Sequence, residues 1–167
     1  MSALFSKSHR ALVELDSNSI GISFPDVEQM RPSLGARLRL HGAHENLQRL
    51  MELNWLAGMR DHITVDEIVP IPSSSQYRVV RRVQAKSSPE RLRRRLVKRR
   101  GISMEEARKL ITDLETKHLN LPFISIRSQS TGQTFHLFIE HKPLKTVQVS
   151  GEFSHYGLSA IATVPWF

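Results

Sequence analysis

The chain has 167 residues, 40% hydrophobic and 24% charged, a balance that supports a buried core and argues against global disorder. It contains no cysteine, which excludes disulfides and thiolate metal sites, and no apolar run approaches the ~18 residues of a membrane span. The formal net charge is +8, yet residues 78–100 alone hold eleven Lys/Arg against the single acid Glu90, so the remainder is slightly acidic. Basicity confined to one stretch is the footprint of a polyanion binder with a localised contact surface. The opening residues are too polar for a signal peptide, so a reducing, cytoplasmic setting with no membrane partner is expected.

In chain order, Leu4, Phe5, Leu12 and Leu15 recur at helical spacing and predict a helix over about residues 2–15, stopped by Asp16-Ser17-Asn18-Ser19. Ile20 to Phe24 reads as a strand ended by Pro25, and Ala36 to Leu40 as a second, alternating Leu38 and Leu40 with Arg37 and Arg39. A helix over 43–56 follows, with Leu47, Leu50 and Met51 on one face, then a short strand from His62 to Val65. This α-β-β-α-β order is one strand short of the split β-α-β-β-α-β ferredoxin-like unit. Residues 69–75 are first stiff, then polar, and read as a linker, dividing the chain into domains 1–74 and 75–167.

Beyond it, Tyr77 to Ala85 is extended, and Ser88 caps a helix that carries Pro89 in its first turn and ends at Gly101. Ser103 and Glu106 form a capping box for a helix reaching His118. Phe123–Gln129 and Gln133–His141 flank a turn and predict a hairpin; a strand near Val147–Val149 and one before Pro165 complete the reading. The fold class is α+β.

Seven of the ten residues from Arg91 to Arg100 are basic. On a helix Arg91, Arg94, Arg95, Lys98 and Arg99 share a face, beside a narrow seam of Leu92 and Leu96. Neighbouring cations at this spacing repel by a few tenths of a kcal/mol per pair, so the face suits phosphates better than bare solvent. Charge alone does not separate RNA from DNA. No His/Asp/Glu group has metal-site spacing: His41 and His44 share a turn without a third ligand, and no metal or cofactor is expected.

Several strings resemble one family over essentially the whole chain: Arg82-Val-Gln-Ala-Lys-Ser-Ser-Pro-Glu-Arg-Leu-Arg-Arg-Arg-Leu96, Ile126-Arg-Ser-Gln-Ser-Thr-Gly132, Tyr156-Gly-Leu-Ser159 and Val164-Pro-Trp-Phe167. Ile22-Ser-Phe-Pro-Asp26 and Trp55-Leu-Ala-Gly-Met-Arg-Asp-His62 extend the likeness. The sequence thus resembles the type I-F CRISPR repeat-processing endoribonucleases. The resemblance implies a ferredoxin-like N-terminal domain, here without its first strand, and a C-terminal domain with an arginine-rich helix and a β-hairpin. It implies binding of the CRISPR repeat stem-loop, metal-independent cleavage at the 3′ base of the stem to a 2′,3′-cyclic phosphate, and retention of the guide RNA within a type I-F interference complex.

Carried over by residue, the resemblance makes His9 the catalytic histidine, Ser128 the holder of the attacking ribose and Tyr156 the residue that orients His9. Phe135 would stack beneath the last base pair, and Arg82 and Gln84 would read base edges at the stem's foot. Arg95, Lys98 and Arg99 would meet phosphates and the loop, Lys98 replacing an arginine and so weakening bidentate contact there, while Arg91 and Arg94 join the RNA-binding set through the shared basic face. Ser130 and Thr131 would approach the scissile phosphate. By position alone His9 reads as a half-buried helix histidine, Ser128 as part of a polar turn and Phe135 as core. A rival reading is a non-catalytic subunit that caps an RNA hairpin, and a weaker one is a DNA-binding regulator.

Overall fold

The computed structural model describes residues 1–28, 32–84, 89–111, 120–127 and 132–167, with the side chains of 89–91 outside that description. The fold is α+β, and the chain divides into two compact units, residues 1–83 with 121–167, and residues 84–120.

The larger unit opens with helix α1, Ser2–Glu14, which buries Phe5, Ser8, Ala11 and Leu12. That is the face expected from the spacing of its apolar residues. Strand β1 (Gly21–Ser23) pairs antiparallel with β2 (Arg39–His41), Ile22 opposite Leu40. Helix α2, His44–Glu52, is shorter than its periodicity suggested, because the backbone turns extended at Leu53; Leu50 is its buried anchor. Strand β3 (Gln76–Arg78) pairs with β7 (Val164–Trp166), and β4 (Val80–Val83), β6 (Thr134–His141) and β5 (Phe123–Arg127) form a sheet in that order. Helix α1 lies against β5. Ile22, Phe24, Leu50, Val80, Ile124, Leu137, Ile139 and Val164 join the α1 face in one core.

Two expected strands do not form. Arg60–His62 is a single 3-10 turn, and residues 63–70 take no regular structure. Val65 there is exposed, so the alternation of Ile63 and Val65 marks no buried face. Near Val149 the chain is held to Thr163, but the Val149 N–H donates to the threonine Oγ1 (2.9 Å) in place of a backbone carbonyl, so no ladder propagates. Among the described residues no helix is long and apolar enough to cross a membrane.

The smaller unit carries α3, Pro89–Arg100, and α4, Met104–Leu110. Gly101 between them adopts φ +65°, the left-handed conformation that ends helices, and the Ser103–Glu106 capping box forms with both hydrogen bonds. Its expected continuation to His118, like the Ser88 cap, lies outside the described residues.

Two histidines are packed inside the larger unit. His41 Nε2 lies 2.7 Å from the Ser23 hydroxyl, and burial, with Arg39 nearby, pushes its pKa down to about 3. His141 sits between the edges of Phe24 and Trp166; burial, with Arg78 nearby, lowers its pKa to about 4. Both groups are neutral in the native state but take up protons near pH 6.5 once unfolded. Their contribution to stability is therefore complete above that pH and is lost progressively as the pH falls from 6.5 to about 4 for His141 and to about 3 for His41. Urea midpoints measured from pH 7.5 down to 4 should fall steadily, by an amount equivalent to a few kcal/mol. A midpoint flat across that window would contradict the burial of these two rings.

Candidate active site

The site is assembled by α1, the 154–158 turn and the core-facing side of the β4-β6-β5 sheet. On α1, His9 stands one turn after Phe5 and shares its side of the helix, half-buried at the margin of the core. Across from it the chain turns tightly: Ser154 N–H and Oγ–H both donate to the Leu158 carbonyl, and Gly157 N–H donates back to Ser154. The Gly157 carbonyl accepts from Ile22 N–H at 2.7 Å, tying the turn to β1.

That turn delivers Tyr156 onto His9. Their rings stack at 4.0 Å with 16° between planes, and Tyr156 is also nearly parallel to Phe5 at 6.2 Å. His9 Nδ1 lies 2.9 Å from the His155 carbonyl oxygen. A carbonyl can only accept, so Nδ1 carries the hydrogen and, in the neutral ring, Nε2 carries the lone pair. The stack fixes the plane of the imidazole and the hydrogen bond fixes its tautomer.

Two further residues join this group from the sheet. In β4 and β6, Arg82 lies opposite Ile139, and Phe135 projects from the same side as Leu137 and Ile139. The Arg82 guanidinium carbon is 5.8 Å from the Phe135 ring centre and 5.9 Å from that of Tyr156. Arg82 is exposed, so a cation and three rings, two of them half-buried aromatics, line one continuous surface: His9, Tyr156, Arg82, Phe135. Such a surface can stack a base, neutralise a phosphate and accept a proton.

Residues 1–167 match the family described as CRISPR-associated protein (Cas_Csy4). The chain belongs to the Cas_Csy4 family. It is 52% identical to the CRISPR-associated endonuclease Cas6/Csy4 of Pseudomonas aeruginosa (strain UCBPP-PA14), over 167 residues that span all of this chain and 89% of the relative. It is 46% identical, over the same shares of both chains, to the CRISPR-associated endonuclease Cas6/Csy4 of Escherichia coli (strain UTI89 / UPEC). The family resemblance carried by the sequence motifs is thus confirmed.

Not every residue singled out in this Cas_Csy4 chain joins the site. Ser128, Ser130 and Thr131 lie outside the described residues, and so does the side chain of Arg91. Gln84 is exposed and belongs to the smaller unit, as does α3. On α3, Arg94, Arg95, Lys98 and Arg99 are all exposed, while Leu92, Leu96 and Ile111 line a groove with Arg95, Lys98 and Arg99.

Sequence reasoning missed several groups. Arg93 is buried, and its Nε–H and Nη2–H both donate to the Ile111 carbonyl at the end of α4, at 2.9 and 2.7 Å. It stitches the two helices together. Arg78 is buried as well, stacked 4.4 Å over Trp166 with Nε–H donating to the Lys142 carbonyl. The carbonyl of His155 was also invisible, because nothing in the spacing of side chains reports a distant backbone oxygen.

Gly157 gives a direct test of how the site is built. Its φ is +67°, and a Cβ there would come within 2.3 Å of Ile22 Cγ1. Gly157→Ala should therefore destabilise the fold by about 2–4 kcal/mol, from backbone strain plus overpacking of the core. Chemical denaturation would read this, and an unchanged midpoint would contradict the tight approach of the turn to β1.

Proposed function

We propose that this chain is an endoribonuclease that binds the stem-loop of a CRISPR repeat and cuts at the 3′ base of the stem, without a metal ion, by attack of the ribose 2′-oxygen. The relatives named above are called endonucleases, which supports the reaction class. The single observation that carries the mechanism is the hydrogen bond from His9 Nδ1 to the His155 carbonyl, which leaves Nε2 free to receive a proton.

In this reading, His9 Nε2 takes the 2′-hydroxyl proton as O2′ bonds to the adjacent phosphorus. The bond from phosphorus to O5′ breaks, and the leaving oxygen takes up a proton, giving a 2′,3′-cyclic phosphate and a 5′-hydroxyl. Tyr156 holds the imidazole plane, and Ser128 hydrogen-bonds the attacking ribose. Ser130 and Thr131 approach the scissile phosphate, Phe135 closes the foot of the stem by stacking, and Arg82 and Gln84 meet base edges beside it. The α3 cations, Arg91, Arg94, Arg95, Lys98 and Arg99, hold the backbone of the stem and its loop. Residues 1–74, read as a ferredoxin-like domain, carry the base, and residues 75–167 grip the RNA. The product stays bound, within an assembly of other type I-F subunits in the cytoplasm.

The deciding experiment uses two repeat hairpins that differ by one oxygen. The all-ribose hairpin should yield a shortened product with a cyclic phosphate end, in excess chelator as in its absence. The hairpin with 2′-deoxyribose at the cut site should bind equally well and remain whole. Cutting of the deoxy substrate would overturn attack by the 2′-oxygen. Failure to cut the ribose substrate would leave a subunit that only caps the hairpin.

A further inference from the structure

Helix α1 ends at Glu14, and the chain reverses through Asp16 at φ +48°, the one described residue other than glycine with a positive φ. Glycine sits in that conformation without strain, whereas a side chain is disfavoured there. What the aspartate gives this position is a partner. Its Oδ1 lies 3.3 Å from Nε2 of His155, an ion-pair contact without hydrogen-bond alignment, and His155 is the residue whose carbonyl receives the hydrogen of His9 Nδ1. The Phe153 N–H donates to the Asn18 carbonyl at 2.9 Å, a second tie between the same two segments. The end of the helix that bears His9 is thus fastened, one residue at a time, to the strip of backbone that fixes the His9 tautomer.

We infer that Asp16 and the His155 side chain are positioning residues: their contact clamps the 155 carbonyl against His9 and keeps the catalytic imidazole in its Nδ1–H form. This rests on the reading of His9 as the base. A neutral imidazole carries its single hydrogen on either nitrogen, and the hydrogen bond made by one nitrogen decides which. With the hydrogen on Nε2 the ring has no lone pair where the 2′-proton must be received, and the cut waits for the other tautomer. The turn from Ser154 to Leu158 holds its own shape through internal hydrogen bonds. Its distance from α1 is set by the ties outside it, and the Asp16–His155 contact is the tie nearest the carbonyl.

The full chain is tested as Asp16→Gly, Asp16→Asn and His155→Ala, beside His9→Ala as a control. Four quantities are read on each: thermal midpoint, hairpin affinity, single-turnover cleavage rate, and the nitrogen-15 chemical shifts of the His9 ring. Glycine suits the backbone at 16, so Asp16→Gly should fold with an equal or higher midpoint and bind the hairpin unchanged. It should nonetheless cut about three- to tenfold more slowly, since a loosened base costs rate without touching affinity. Its His9 resonances should move toward the Nε2–H pattern. His155→Ala should match it, and Asp16→Asn, which keeps a polar group facing His155, should fall between it and the unaltered chain. Wild-type cleavage rates in both Asp16→Gly and His155→Ala, or His9 shifts that do not move in either, would overturn the clamp. Cleavage retained in His9→Ala would overturn the function proposed for His9 itself, a failure this series separates from failure of the clamp.

Discussion

His9→Ala should leave hairpin affinity within about twofold of the unaltered chain and slow cleavage by roughly 10²–10⁴-fold, the usual worth of a general base. The split between binding and rate follows from where His9 sits. It lies at the edge of the core, on a helix in which alanine is the better helix former, and its ring contacts are to Tyr156 and the His155 carbonyl. Truncation therefore removes a proton acceptor while the phosphate-facing cations elsewhere stay in place. Single-turnover rates at saturating enzyme, set beside equilibrium binding of the 2′-deoxy hairpin, separate the two effects. Full activity in the variant would end the assignment.

Replacing Arg94, Arg95, Lys98 and Arg99 together by glutamine should give the opposite pattern. Glutamine is nearly as good a helix former as arginine or lysine, so α3 should persist. All four side chains are exposed, and their charge lies in a stretch with one acid in twenty-three residues. If each releases about one counterion on meeting a phosphate, the slope of log affinity against log salt should flatten by about 3, and affinity near physiological salt should fall a hundredfold or more. With enzyme raised to saturation, cleavage should recover to within a fewfold of normal, because the site on α1 and the 154–158 turn is untouched. A salt slope that stays where it was would mean that phosphates are not met by this side of the helix.

Much of this frame could be read from the chain, because the signals were local. The Phe5 and Leu12 spacing located the buried side of α1, and the Ser103–Glu106 pair and Gly101 marked helix ends that form as expected. The turn residues before Gly132 located the β5–β6 hairpin. Long-range matters escaped. Tyr156 meets His9 only because the tail folds back over α1, and spacing along the sequence carries no trace of that; the likeness to a family supplied it. The two unformed strands failed for a related reason. Ile63 and Val65 alternate correctly, but alternation promises a strand only when a neighbouring edge exists to pair with. His41 and His141 look like ordinary surface histidines until Ser23, Phe24 and Trp166 close around them.

The fork of Arg93 on the Ile111 carbonyl means that counting arginines overstates how many are available to a nucleic acid. A scan along α3 should sort into two populations. Changes at 94, 95, 98 and 99 would register in ionic-strength titrations, whereas a change at 93 would register on heating, by freeing the end of α4. Engineering the grip of this protein, up or down, therefore has a natural place to work and one guanidinium in its midst to leave alone.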